Sequence, residues 1–260
     1  MRHRATRRAA ALLLAAGVIL NALPPAVAES PAAEVTVAVA ANFLATLEQL
    51  EPAFERRTGH ELTLAAGSTG SLYAQIAGGA PYDVFLAADE ARPARAIAEG
   101  HAVPGTAFVY AVGTLVLWSA DPQRIRGPEA LDDDFHHLAI ANPRTAPYGA
   151  AAREVLTALG RWQPLQRRIA RTQSVAGAWS AVASGAADLG FVALSSLVTD
   201  AERAARGSRW EPPQALYTPL RQSAVLLDRG ADNPGAAAFL QFLASAEAGA
   251  VIRRAGYGVH

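Results

Sequence analysis

ELTLAAGSTGSLYAQIAGGAPYDVFLAA, residues 61–88, places two short β-rich runs on either side of a glycine-and-hydroxyl turn and an amphipathic stretch. ELTLAA (61–66) reads as a strand, SLYAQIAGG (71–79) as a short helix stopped at Gly78 and Gly79, and YDVFLAA (82–88) as the next strand. Strand, helix and strand in that order are the unit of a mostly parallel sheet. Upstream, VTVAVA (35–40) reads as a strand and NFLATLEQLEPAFERRTG (42–59) as a helix closed by Gly59, with a kink or break expected at Pro52. Downstream, FVYAVGTLVLWSA (108–120) reads as one long strand interrupted by Gly113. HLAIANP, AAREVLTALG, RIARTQSV, GAWSAVASG and DLGFVALSSL then repeat the alternation, SAVLLD (223–228) adds a strand, and two helical segments fill residues 234–255. Two βα clusters joined by a long strand, with a late strand leading back, predict an α/β chain of two lobes. The crossovers are expected near residues 111–114 and 220–223.

Composition narrows the function classes. The chain has 260 residues, 51% of them hydrophobic, enough for a sizeable core. Arg2, Arg4, Arg7 and Arg8 precede an apolar run over residues 9–20 and the small-residue site Ala26-Val27-Ala28, the pattern of a secretory signal peptide over residues 1–28. That run is too short for a membrane span, which needs ~20 apolar residues. Without those four arginines, 19 basic residues face 23 acidic ones, which argues against a nucleic-acid partner. The chain has no cysteine, hence no disulfide and no cysteine-linked lipid, and a soluble periplasmic protein without a membrane anchor is expected.

Four turns share one design, in which a strand ends, small or hydroxyl residues follow, and a helix begins. They are Ala41-Asn42, Ser68-Thr69-Gly70, Pro147-Tyr148-Gly149 and Ser174-Val175-Ala176-Gly177. A helix start leaves backbone N–H groups without internal partners and carries the positive end of the helix dipole, so it suits an anion. Taken singly, each turn has an ordinary reading: Asn42, Ser68 and Thr69 as helix caps, Val175 as core, Tyr148 as a surface or hinge aromatic. Four of them, split evenly between the halves, point to one site. None contains Asp or Glu, which suits a fully deprotonated dianion and disfavours hydrogen phosphate. Other chemistry is thin. GSTGS lacks the lysine of a phosphate-binding loop, no G-x-S-x-G elbow is present, His101 and Asp89 have no nucleophile partner, and residues 132–137 (DDDFHH) match no closed metal site. A secreted hydrolase using Ser68 or Ser71 and a ferric-iron receptor are the rivals from other classes.

At these turns the chain resembles the periplasmic molybdate-binding proteins of bacterial ABC importers. VAANFLATLEQL, AGSTGSLYAQIAGGAPYDVFLAADE, GTLVLWSA, LAIANPRTAPYGAAAREVLTALG, SVAGAWSAVASGAADLGFVAL and AGYG carry the resemblance. It implies the type II periplasmic-binding-protein fold: two α/β lobes with mixed sheets, joined by two crossover segments and closing on a tetrahedral oxyanion. The implied division is lobe I over residues 29–112 plus 221–260 and lobe II over 113–220. Carried over by position, it implies ligand contacts from Ala41 and Asn42 through backbone N–H, from Ser68 and Thr69, and from Tyr148 and Val175 largely through backbone N–H. Some members have a hydroxyl residue where Ala41 stands and a tyrosine contact where Ala193 stands. The function implied is capture of molybdate, and of tungstate, for a permease with its ATPase, by a monomeric receptor that is no enzyme and holds no cofactor and no metal-ligating side chains. A receptor for another tetrahedral oxyanion such as sulfate is the alternative.

Overall fold

The computed structural model describes residues 32–259, so the leader read over residues 1–28 lies outside the described residues. In chain order the elements are β1 (Glu34–Ala40), α1 (Leu44–Thr58), β2 (Glu61–Gly67), α2 (Thr69–Ala77), β3 (Val84–Leu86), α3 (Ala91–Ala98) and β4 (Phe108–Gly113). There follow β5 (Leu115–Ser119), β6 (Leu138–Ala141), α4 (Pro147–Ala158), β7 (Ile169–Thr172), α5 (Val175–Ala183), β8 (Leu189–Ala193), α6 (Leu194–Thr199), α7 (Ala201–Ala204) and β9 (Ser208–Trp210). β10 (Leu220–Leu226), α8 (Pro234–Leu243) and α9 (Ala246–Arg254) complete the described chain.

Two five-stranded mixed sheets result, ordered β2-β1-β3-β10-β4 and β7-β6-β8-β5-β9. In the first, β1 runs parallel to β2 and β3, while β10 lies antiparallel to β3 and β4. In the second, β6 runs parallel to β7 and β8, while β5 lies antiparallel to β8 and β9. Both faces of each sheet are covered, which explains runs of apolar residues that lack a polar face. On β1, Val35, Val37 and Val39 join Phe54 and Phe239 in one core, and Ala38 joins Leu72 and Phe85 in the core on the opposite face. On β5, Leu115 and Leu117 pack with Ile140 and Val155, whereas Val116 and Trp118 pack with Ala139 and Val182. The period of two along a strand thus distributes side chains between two helical layers.

Residues 108–120, expected as one strand, are two. β4 pairs with β10 in the first sheet and β5 with β8 and β9 in the second, with Thr114 between them. The apolar run continues through the join, so periodicity carries no mark of it, and the Leu115 N–H donates to Tyr217 Oη at 3.3 Å. The return passage occupies residues 211–219, directly ahead of the expected crossover. α1 runs unbroken through Pro52, which is exposed, so water can serve the carbonyl that the missing N–H leaves behind. The residues between β3 and β4 hold α3, a helix that the reading of the chain passed over.

The start of α4 sits hard against the end of β6. A Cβ on Gly149 would collide with the Ala141 carbonyl oxygen, a backbone atom that has nowhere to go. This close approach places the first turn of α4 at the mouth of the strand. Gly149→Ala is therefore expected to destabilise the fold by roughly 1–3 kcal/mol, the usual cost of overpacking, read as a lower urea midpoint at unchanged slope.

Candidate functional site

The first turn leaves β1 at Ala40 and enters α1 at Leu44. Ala41 N–H donates to Gly67 O (2.9 Å) and Phe43 N–H to Ala40 O (2.8 Å), while Asn42 N–H between them has no acceptor among the described residues. An N–H contact from Ala41 is thus not offered in this geometry, because the β2 carbonyl already holds it. Asn42 is no helix cap either. Phe43 occupies that position without a side-chain bond, and the Asn42 carboxamide turns inward to donate to Gln222 Oε1 (2.9 Å) and Tyr257 Oη (3.1 Å).

The second turn carries two hydroxyls with different duties. Ser68 caps α2, its Oγ accepting from Ser71 N–H (3.3 Å) and lying 2.8 Å from Ser71 Oγ. Thr69 Oγ1 accepts from Ala88 N–H (3.0 Å), which leaves the hydroxyl proton free to be donated. Thr69 N–H, at the first helical position, has no acceptor among the described residues.

The third and fourth turns come from the second sheet. Pro147 opens α4 with no side-chain cap, and Tyr148 follows with its N–H unaccepted and its ring buried. The Tyr148 hydroxyl accepts from Gln222 Nε2 at 3.3 Å. Burial raises its pKa well above the usual phenol value, so it stays neutral. Ser174 caps α5 through Gly177 N–H (3.2 Å), and Val175 N–H is again without an acceptor among the described residues.

These turns meet. Ala41, Asn42, Ser68, Thr69, Tyr148 and Val175 all line one cavity, together with Ala88, Ala146, Pro147 and Ser174. The space open to the centre of a water-sized sphere is about 10 Å³, which suits one compact guest and no sugar or peptide. None of the side chains lining it is ionisable apart from the neutral Tyr148. The starts of α2, α4 and α5 border the region, so their dipoles favour an anion there. The halves also touch directly: Gly70 N–H donates to Thr145 O (2.7 Å), and Arg92, paired with Asp89, donates from Nη2 to Arg144 O (3.2 Å).

Alternative chemistries find no support in this arrangement. Among the described residues Ser68 Oγ bonds Ser71 alone, with no histidine or carboxylate to take its proton. In the acidic run, Asp132 pairs with Arg161 and Asp134 with Arg168, while Asp188 accepts both His136 and His137 N–H at 2.9 Å. No group of three or more His, Cys, Asp or Glu able to hold a metal ion occurs among the described residues.

Behind the cavity lies a buried polar cluster that the reading of the chain missed: Tyr110, Ser195, Gln222 and Tyr257. Tyr257 donates to the Asn42 carbonyl oxygen (2.6 Å) and lies 2.9 Å from Ser195 Oγ, which itself reaches the same carbonyl at 3.2 Å. Burial pushes the Tyr257 pKa up to about 12, so its proton stays available to that carbonyl. The signal for Gln222 was present, since a lone carboxamide in an apolar strand must find partners. Which partners depends on a contact 180 residues away in sequence.

The family of bacterial extracellular solute-binding proteins matches residues 35–258 of this chain. The chain is 47% identical to the molybdate-binding protein ModA of Rhodobacter capsulatus, over 97% of this chain and 96% of that protein. Its structure resembles the periplasmic molybdate-binding protein of Azotobacter vinelandii, with a TM-score of 0.82 at 44% identity, over 87% of this chain and 99% of that one. The sulfate-binding protein SubI of Mycobacterium tuberculosis superposes with a TM-score of 0.72 at 16% identity, over 87% of each chain, a likeness of fold alone.

Closure across Gly70 can be tested. A Cβ there would lie 2.8 Å from Thr145 O and 2.9 Å from Thr145 Cα, both backbone atoms of the opposite half. Gly70→Ala is expected to weaken oxyanion binding measured by calorimetry while the melting temperature of the ligand-free protein changes little. Unchanged affinity would show that the two halves need not approach this closely.

Proposed function

The chain belongs to the bacterial extracellular solute-binding proteins, and within that family we propose that it is a molybdate receptor serving an ABC importer. The observation that carries this reading is the cavity between the two sheets, where Asn42, Thr69, Tyr148 and Val175 present unaccepted N–H groups and no ionisable group other than neutral Tyr148 intrudes. Thr69 adds a hydroxyl proton. Hydrogen bonds to a charged acceptor contribute roughly 1.5–3 kcal/mol each net of desolvation, so five of them supply substantial affinity for a small dianion. Tungstate, with the same charge and shape, is taken as well.

The protein works by binding, without chemistry. Each lobe holds half of the donor set, so only a guest that touches both stabilises the closed form, and the closed form is what a permease with its ATPase engages. Export to the periplasm, a monomeric state and the lack of an anchor or cofactor complete the proposal. Support comes from the identity to molybdate-binding relatives and from the uncharged donors.

Calorimetry with molybdate, tungstate, sulfate and phosphate tests the assignment. Molybdate and tungstate are expected to bind tightly and phosphate weakly; tight sulfate binding without molybdate heat would move the chain to the sulfate receptors. Thr69→Ala is expected to lose roughly 1.5–3 kcal/mol of molybdate affinity. Because no lining group titrates near neutrality, that affinity should stay flat between about pH 6.5 and about pH 9, where the buried tyrosine remains protonated. A titration in that window would require an ionisable group at the guest.

A further inference from the structure

Gln222 is 0% exposed on β10 and does not line the cavity, yet it touches two residues that do. Its Oε1 accepts from Asn42 Nδ2 at 2.9 Å and from Tyr110 at 3.1 Å, and its Nε2 donates to Tyr148 Oη at 3.3 Å. Asn42 belongs to the turn after β1 in the first sheet, and Tyr148 to the turn after β6 in the second. One carboxamide therefore bridges the two halves of the donor set from behind.

Two further observations show that this bridge is built in. A Cβ on Gly113, the last residue of β4 before the crossover, would collide with Tyr148 Oη and come 2.7 Å from Gln222 Nε2, so the crossing strand leaves room for that contact. Asn42 lies in neither helix nor strand, so no ladder orients it. Its carbonyl and carboxamide are held instead by Tyr257, Ser195 and Gln222.

We propose that Gln222 is a positioning residue of the oxyanion site, tying the Asn42 turn of one lobe to the Tyr148 turn of the other so that both N–H groups are registered on one guest. The inference rests on the molybdate reading given above. It assigns to Gln222 an effect on affinity without contact with the anion. It also gives the second crossover strand a role in binding besides connecting the lobes.

The test uses the full mature chain and molybdate. Gln222→Met keeps length and volume and removes both polar atoms; molybdate affinity is expected to fall about ten-fold, and the ligand-free melting temperature falls as well, because Asn42, Tyr110 and Tyr148 each lose a buried partner. Tyr148→Phe removes the opposite end of the bridge and keeps the Tyr148 N–H. It is expected to lose affinity by a similar factor, and the Gln222→Met, Tyr148→Phe double variant little more than either alone, because the same bond is cut in each. Should Gln222→Met fail to fold, Tyr148→Phe decides alone. Gln222→Met or Tyr148→Phe binding within about two-fold of wild type, or losses that add in the double variant, would overturn the proposal. Wild-type protein that binds none of the four oxyanions would instead overturn the reading of the site itself, and this inference with it.

Discussion

A helix cannot satisfy its own first N–H groups, and here that constraint is left open at the starts of α2, α4 and α5 around one cavity, with the Asn42 N–H of the turn before α1 beside them. Ser68 and Ser174 cap their helices at the third N–H and leave the first one bare, at Thr69 and Val175. Pro147 removes one orphan donor of α4 and leaves Tyr148 N–H exposed to the cavity. Asn42, which had every chemical qualification to be a cap, is drawn away by Gln222 and Tyr257. Each choice keeps a backbone donor unmatched at the cavity. Backbone donors also need no ionisation, unlike a lysine or arginine, whose own charge would have to be dehydrated there.

The same donors make closure depend on the guest. Hydrogen bonds between the halves include Gly70 to Thr145, Arg92 to Arg144, Ser195 to Asn42, Tyr257 to Ser195 and Gln222 to Tyr148. Each contributes about 1 kcal/mol net. An oxyanion that accepts from both lobes at once adds to them. Two passages connect the lobes, Thr114 and residues 211–219.

Most helices and strands, though not α3 or α7, were legible because each sheet is buried on both faces and most turns carry glycine or hydroxyl punctuation. The four site turns were legible for the same reason, since Ser68-Thr69-Gly70 and Pro147-Tyr148-Gly149 announce helix starts in local text. The break at Thr114 was not, because Leu115 continues the apolar run of β4 while changing sheets. Which N–H groups stay free was equally hidden. Ala41 and Asn42 look alike as donors in the sequence, and only the parallel register of β1 with β2, which puts Gly67 O beside Ala41, separates them. Gln222, Tyr257 and Ser195 act across 180, 215 and 153 residues of chain respectively, a range at which pattern carries no information.

Uncharged donors read charge and direction and are blind to the central atom of a tetrahedral dianion. Discrimination among such ions must then come from how far the donors stand from the cavity centre, and that distance is set by backbone. Bond lengths differ between these ions by a fraction of an ångström, so the walls must resist displacement of that order. They are constructed to do so: Gly149 lets α4 press on the Ala141 carbonyl, Gly70 lets α2 press on Thr145, and Gln222 spans the remaining gap from Asn42 to Tyr148. A receptor of the same fold for another ion needs no new donor type, only a different spacing of these contacts.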